Sequence, residues 1–179
     1  MANLTKCIDM MDEGIGRVST VIPQMPKAEA RLSRLVLMVG SSLEQELEAR
    51  LKPHQLNHSD FLTLMILYSR PDGHSTPGEL CEFTSQGATN MTRIANALVK
   101  RGLITRRAGE ADRRCVLIHI TAAGRRLVQK MLPPLFPSIS AMFAGFSEAD
   151  KRHLSRLLRK LAHNLDQLSE APHPPRTPR

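Results

Sequence analysis

The chain has 179 residues, 41% of them hydrophobic, enough to bury one sizeable core and too few for a second full domain beside it. Lysine and arginine outnumber aspartate and glutamate by 25 to 17, and the net charge of +8 points to a polyanionic partner, nucleic acid first. No apolar run reaches bilayer length, Asp9, Asp12 and Glu13 sit where a signal peptide would be apolar, and Cys7, Cys81 and Cys115 form no CxxC pair, so a soluble, cytosolic protein without disulfides or a zinc ribbon is expected.

Residues 1–26, closed by Pro23 and Pro26, read as a short amphipathic helix or arm. Leu32, Leu35, Val39, Leu43, Leu47 and Leu51 then recur every three or four positions, which predicts a long helix from Ala28 that stops before Pro53. The run "NHSDFLTLMILYSR" predicts a second, largely buried helix capped by Asn57 or Ser59 and closed by Pro71-Asp72-Gly73. A short third helix starts at "STPGE", with Ser75 or Thr76 as cap and Pro77 at the first helical position. Ser85 reads as the cap of a fourth helix, whose apolar face is Met91, Ile94, Ala95 and Leu98 and which Gly102 stops.

"LITRRA" and "CVLIHIT" read as the two strands of a hairpin with a charged tip, turning through Gly109 and Asp112. Thr121 caps the next helix, which Pro133, Pro134 and Pro137 bend or break. Ser147 caps a final helix with a leucine seam of Leu154, Leu157 or Leu158, Leu161, Leu165 and Leu168. The tail "APHPPRTPR", with four prolines in nine residues, is expected to be disordered.

Two short helices followed by a charged hairpin is the order of a winged helix-turn-helix, in which the second helix enters the major groove and the hairpin reaches the flanking minor groove. The expected fold class is mainly α with a small β-hairpin wing. Residues 76–126 carry nine basic residues against four acidic ones, so this segment holds most of the excess charge. On the solvent-facing side of the fourth helix lie Thr89, Asn90 and Arg93. Arginine pairs bidentately with guanine and asparagine with adenine, so Arg93 and Asn90 are the candidate base readers, with Ser85, Gln86 and Thr92 placed for phosphates or neighbouring bases. In the wing, Arg114 is the candidate for the minor groove. Arg106, Arg107 and Arg113 are candidates for phosphate, against the alternative of a solvated basic face.

The stretches "NMTRIANALVKRGLITRR" and "DRRCVLIHITAAG" resemble the signature of the MarR family of bacterial repressors over roughly residues 28 to 168. Within it, "ATNMTRIANALVKRG", "DRRC" and "MLPP" resemble the EmrR-type repressors of multidrug-efflux operons. The resemblance implies a homodimer on pseudo-palindromic operator DNA and a role for Asp112 in orienting the wing arginines. It assigns residues 27–56 and 121–168 to dimerisation, 57–120 to the DNA-binding lobe, 1–26 to an arm and 169–179 to the tail. It further implies release by small aromatic or amphipathic compounds. Met38, Phe61, Met65 and Tyr68 would line their pocket and Arg31, Arg34 or His58 would pair with a carboxylate, unless these residues are ordinary core.

No cofactor or metal is expected: His54 and His58 are four apart, but His54 lies next to Pro53, in an expected loop rather than on a helix face. No GxSxG, phosphate-binding glycine loop or HExxH is present, so an enzyme is not expected. Two alternatives stay open: a metal- or redox-sensing regulator on the same fold, using His54, His58 or Cys7, and a non-specific basic nucleic-acid-binding architectural protein.

Overall fold

The computed structural model describes residues 3–109 and 115–170. The chain divides into two compact units, one ending at Pro133 and one beginning at Pro134. The first holds α1 (Leu4–Val21), α2 (Lys27–Leu51), α3 (His58–Ser69), β1 (His74–Ser75), α4 (Pro77–Thr84), α5 (Ala88–Lys100), β2 (Ile104–Ala108), β3 (Val116–Ile120) and α6 (Ala122–Met131). The second holds α7 (Phe136–Met142) and α8 (Glu148–Glu170). The expected arm is thus an 18-residue helix, α1, capped by the Asn3 side chain.

The helix starts follow local chemistry. Asn57 accepts from the Asp60 amide at 2.8 Å while Asp60 accepts from the Asn57 amide at 3.2 Å, a reciprocal cap that starts α3. Thr76 and Glu79 do the same for α4, with Pro77 in the first turn. At α8, the Ser147 hydroxyl accepts from the Asp150 amide at 3.1 Å. Gly102, at φ +68, closes α5 in the left-handed region where a side chain would be strained.

Three features depart from expectation. Ser85 does not cap α5: it is the left-handed residue that closes α4, at φ 52, with its amide bonded to the Glu82 carbonyl at 3.2 Å. Gly87 takes the N-cap of α5 instead, so that helix begins at Ala88. β1, only two residues long, joins the hairpin as a third antiparallel strand in the order β1-β3-β2, with His74 opposite His119 and Ile104 opposite Ile120. The proline-rich stretch interrupts the helix after Met131 as expected, but α7 forms directly beyond it, with Pro137 in its first turn, where a missing amide costs nothing.

The core lies under the wing. Leu64 and Leu67 of α3, Leu80 of α4, Ile94 and Leu98 of α5 and Val128 of α6 are each completely buried. Thr121 ties this assembly together: its amide donates to the Leu103 carbonyl at 3.0 Å, and its hydroxyl donates to the Gly102 carbonyl at 2.7 Å and accepts from the Gly124 amide at 3.0 Å. A Cβ on Gly124 would stand 2.3 Å from the Leu103 carbonyl oxygen, a backbone atom that cannot swing aside. Gly124→Ala should therefore lower stability by about 1 to 3 kcal/mol, the usual cost of forcing a methyl into a packed contact. Urea denaturation at unchanged m-value is the check.

Candidate nucleic-acid interface

The elements that face outward are aimed by those that face inward. Met91, Ile94, Ala95 and Leu98 of α5 are buried at helical spacing, which leaves Thr89, Thr92 and Arg93 exposed and Asn90 half-buried on the other side. Arg93 Nε and Nη2 donate to Asn90 Oδ1 at 3.1 and 2.9 Å, and Asn90 Nδ2 donates to Gln86 Oε1. The Thr92 hydroxyl donates to the Ala88 carbonyl at 2.9 Å and keeps its lone pairs outward. The N-cap of α5 makes no side-chain hydrogen bond and its first turn holds no acidic residue, so the helix's own start leaves the positive end of its dipole uncompensated. The Ser85 hydroxyl is exposed just before it.

Arg106 and Arg107 are both exposed on β2 and, as neighbours on a strand, project to opposite faces. Arg106 faces α5: it lines a cavity of about 330 Å³ with Cys81, Met91, Thr92 and Ile118. Asp112, Arg113 and Arg114 lie outside the described residues.

Two anchors hold this surface that the sequence reading did not assign. Arg101, counted there only as positive charge, donates through Nη1 and Nη2 to the Gln55 and His54 carbonyls at 2.6 and 2.8 Å. It thereby ties the end of α5 to the left-handed turn after α2. Glu79 of α4 accepts from the Thr76 amide at 3.0 Å and the Ser75 hydroxyl at 2.7 Å, and its other oxygen lies 3.4 Å from Arg70 Nη2. These partners hold its pKa at about 2 against an ordinary 4.5, the Thr76 amide contributing most, then Ser75, with Arg70 adding. Arg70 also stands over the Phe83 ring, 5.7 Å from its centroid. Only the Thr76-x-x-Glu79 spacing advertised this cluster in the sequence.

Phe61, Met65 and Tyr68 share one face of α3, half-buried against the core. His58 Nδ1 lies 2.8 Å from Glu44 Oε1, Arg31 is paired with Asp12 of α1, Arg34 is exposed and Met38 is half-buried. Arg31 sits about 20 Å along α2 from Glu44 at 1.5 Å per residue, so Arg31 and His58 do not converge on one small ligand. Among the described residues no group of three or more His, Cys, Asp or Glu side chains could hold a metal, and no helix is long and apolar enough to cross a membrane.

A helix with one buried and one polar face, presented beside a basic three-stranded wing, defines a winged helix-turn-helix. The MarR family model matches residues 54–114. The transcriptional repressor MprA of Escherichia coli K12 is 33% identical over 145 residues, covering 81% of this chain and 82% of that one. Among solved structures, the MarR family regulator AbsC of Streptomyces coelicolor superposes with a TM-score of 0.72 at 23% identity over 80% of this chain and 97% of its own. Sco3205 of the same organism, solved in complex with DNA, gives a TM-score of 0.72 at 19% identity, covering 79% and 89%. The chain belongs to the MarR family and is a MarR-type DNA-binding transcriptional repressor.

Because Glu79 ionises more readily folded than unfolded, its contribution is complete above pH 4.5 and is lost as pH falls towards 2. Thermal melts should show Glu79→Gln less stable than wild type at neutral pH, with the gap closing across that window. A gap that persists at pH 2 would deny the cluster this role.

Proposed function

We propose that the chain acts as a homodimer on pseudo-palindromic operator DNA and is released from it by a small aromatic or amphipathic compound. The single observation that carries the DNA reading is the split of α5: Met91, Ile94, Ala95 and Leu98 are buried on one side, and Asn90 and Arg93 stand on the other, beside a helix start without a side-chain cap. In this reading α5 enters the major groove, Ser85, Thr89 and Thr92 contact phosphates or neighbouring bases, and Arg106 and Arg107 meet the backbone beside it. The same reading gives Arg114 the minor groove, Arg113 a phosphate and Asp112 the orienting of these arginines.

Exposed apolar faces support dimerisation. Leu157, Leu158, Leu161, Leu165 and Leu168 of α8 are all exposed, as are Leu32, Val36, Leu37 and Leu43 of α2. Leucines exposed at helical spacing along a whole helix are a surface in want of a partner. Residues 27–56 and 121–168 are the proposed dimerisation region and 57–120 the DNA-binding lobe. For the effector, Phe61, Met65 and Tyr68 on α3, with Met38 and Arg34 of α2 and with His58, are the proposed contacts; Arg31 is committed to Asp12. The EmrR-type resemblance carries the proposal that the controlled genes encode multidrug efflux.

Sequences selected from a randomised duplex pool should contain two inverted half-sites and bind roughly a thousandfold or more tightly than random duplex at fixed salt. Equal affinity for both would leave only a non-specific basic protein. Leu161→Glu should shift sedimentation from dimer to monomer at micromolar concentration and weaken operator binding with it; a wild-type monomer would overturn the assembly.

Screening aromatic acids, uncouplers, zinc and peroxide for release of labelled operator tests the effector. Release by an aromatic compound is expected, abolished by Met65→Ala or Tyr68→Ala with DNA binding intact. Release by zinc or peroxide alone would move the sensor to His58 or Cys7.

A further inference from the structure

We propose that Gln86 and Asn90 are positioning residues that aim Arg93 at a guanine, and that Asn90 itself reads no base. The inference rests on the reading of α5 as the helix in the major groove and names the base it selects. It starts from a chain of hydrogen bonds that runs across the turn between the two helices. Gln86 Nε2 donates to the Thr84 carbonyl at the end of α4 (3.3 Å), Asn90 Nδ2 donates to Gln86 Oε1, and Arg93 Nε and Nη2 donate to Asn90 Oδ1 at 3.1 and 2.9 Å.

The direction of this chain is fixed at both ends. A backbone carbonyl only accepts, so Gln86 must turn its NH2 towards Thr84 and its oxygen towards Asn90. A guanidinium only donates, so Asn90 must turn its oxygen towards Arg93 and its NH2 towards Gln86. The two requirements meet between Gln86 and Asn90 with an oxygen facing an NH2. Flipping either amide alone would set like against like.

The consequence for base reading is stereochemical. Adenine recognition by asparagine needs its oxygen to accept from N6, and Asn90 Oδ1 already holds two guanidinium donors. Arg93 spends its Nε/Nη2 edge on Asn90 and keeps the end edge, Nη1 and Nη2, for a second bidentate partner. Guanine offers two acceptors there, O6 and N7. Adenine offers N7 and a donor, N6, which would face a guanidinium N–H. Holding the arginine in place beforehand also removes part of the ordering cost of binding. The expectation from residue types alone, Asn90 on adenine, is thereby replaced by one arginine–guanine contact per half-site with two amides behind it.

The experiment selects bound sequences from a randomised duplex pool with the full-length protein at fixed salt, and measures base discrimination on the selected site. Wild type should require guanine at one position of each half-site, and Arg93→Gln should lose that requirement. Asn90→Leu and Gln86→Met should keep the wild-type melting temperature and salt dependence yet discriminate guanine roughly tenfold less well. Undiminished guanine discrimination in Asn90→Leu and Gln86→Met would overturn the positioning role, as would an adenine preference lost with Asn90. An unchanged preference in Arg93→Gln would instead remove α5 as the reading helix and take the inference with it.

Discussion

The end of α5, the entry to β2, the end of β3 and the start of α6 meet at Thr121, and the direction of what these elements turn outward depends on that meeting. The hydroxyl donates to Gly102, which closes α5, and accepts from Gly124 in the first turn of α6, while the Thr121 amide donates to Leu103 at the entry to β2. The end of α5, both strands of the wing and the next helix are thus referred to one residue. A threonine suits the place because a hydroxyl donates and accepts at once, and because its backbone is extended where the strand becomes a cap. Gly124 completes the knot by letting α6 approach to a distance no side chain would permit.

Burial then sorts the surface. Along α5 the residues that reach the core are apolar without exception, so the helix cannot rotate without exposing Met91, Ile94 or Leu98. Each such side chain fully buried contributes about 1.5 to 3 kcal/mol, which outweighs any single polar contact on the opposite face. The polar residues therefore need not hold the helix, and they are free to be chosen for recognition. α4 is fixed by different means. It is short, and the carboxylate of Glu79, with Ser75, Thr76 and Arg70 around it, anchors its start to the end of α3 and to β1.

Much of this is legible in the sequence because the signals are local. Met91, Ile94, Ala95 and Leu98 announce a buried face by spacing alone, and Thr121-Ala122-Ala123-Gly124 announces a helix start. Ser85 misleads for an equally local reason. Serine is a favoured N-cap, but the eight-residue α4 ends one position earlier and takes Ser85 as its left-handed closing residue, leaving Gly87 to start α5. What stays illegible depends on distant partners. Two-residue β1 has no alternation to read and exists only because β3 lies beside it. Arg101 reads as one more positive charge until its contact with carbonyls 46 and 47 residues away is seen. The spacing of Gln86, Asn90 and Arg93 is visible in the sequence, yet the direction of their hydrogen bonds is set by the Thr84 carbonyl, which no residue type reveals.

The placement of α3 bears on how an effector could act. This helix contacts α2, α4, α5, α6, β1 and β3, so it touches nearly every element of the lobe. Its inner face, with Thr63, Leu64 and Leu67, is buried, while Phe61, Met65 and Tyr68 stay half-buried beside it. In the proposed response, a compound wedged against those three side chains meets a close-packed body on the far side, and close-packed interiors transmit displacement rather than absorb it. Arg70, just past the end of α3, would carry the shift through Glu79 and Phe83 into α4, and the Thr84–Gln86–Asn90 chain would carry it on to Arg93. A ligand can shift the protein only by the difference in its affinity for the two arrangements. The half-buried state of Phe61, Met65 and Tyr68 is therefore the property that matters in the proposed response, since side chains with surface still uncovered leave a compound a differential contact to gain.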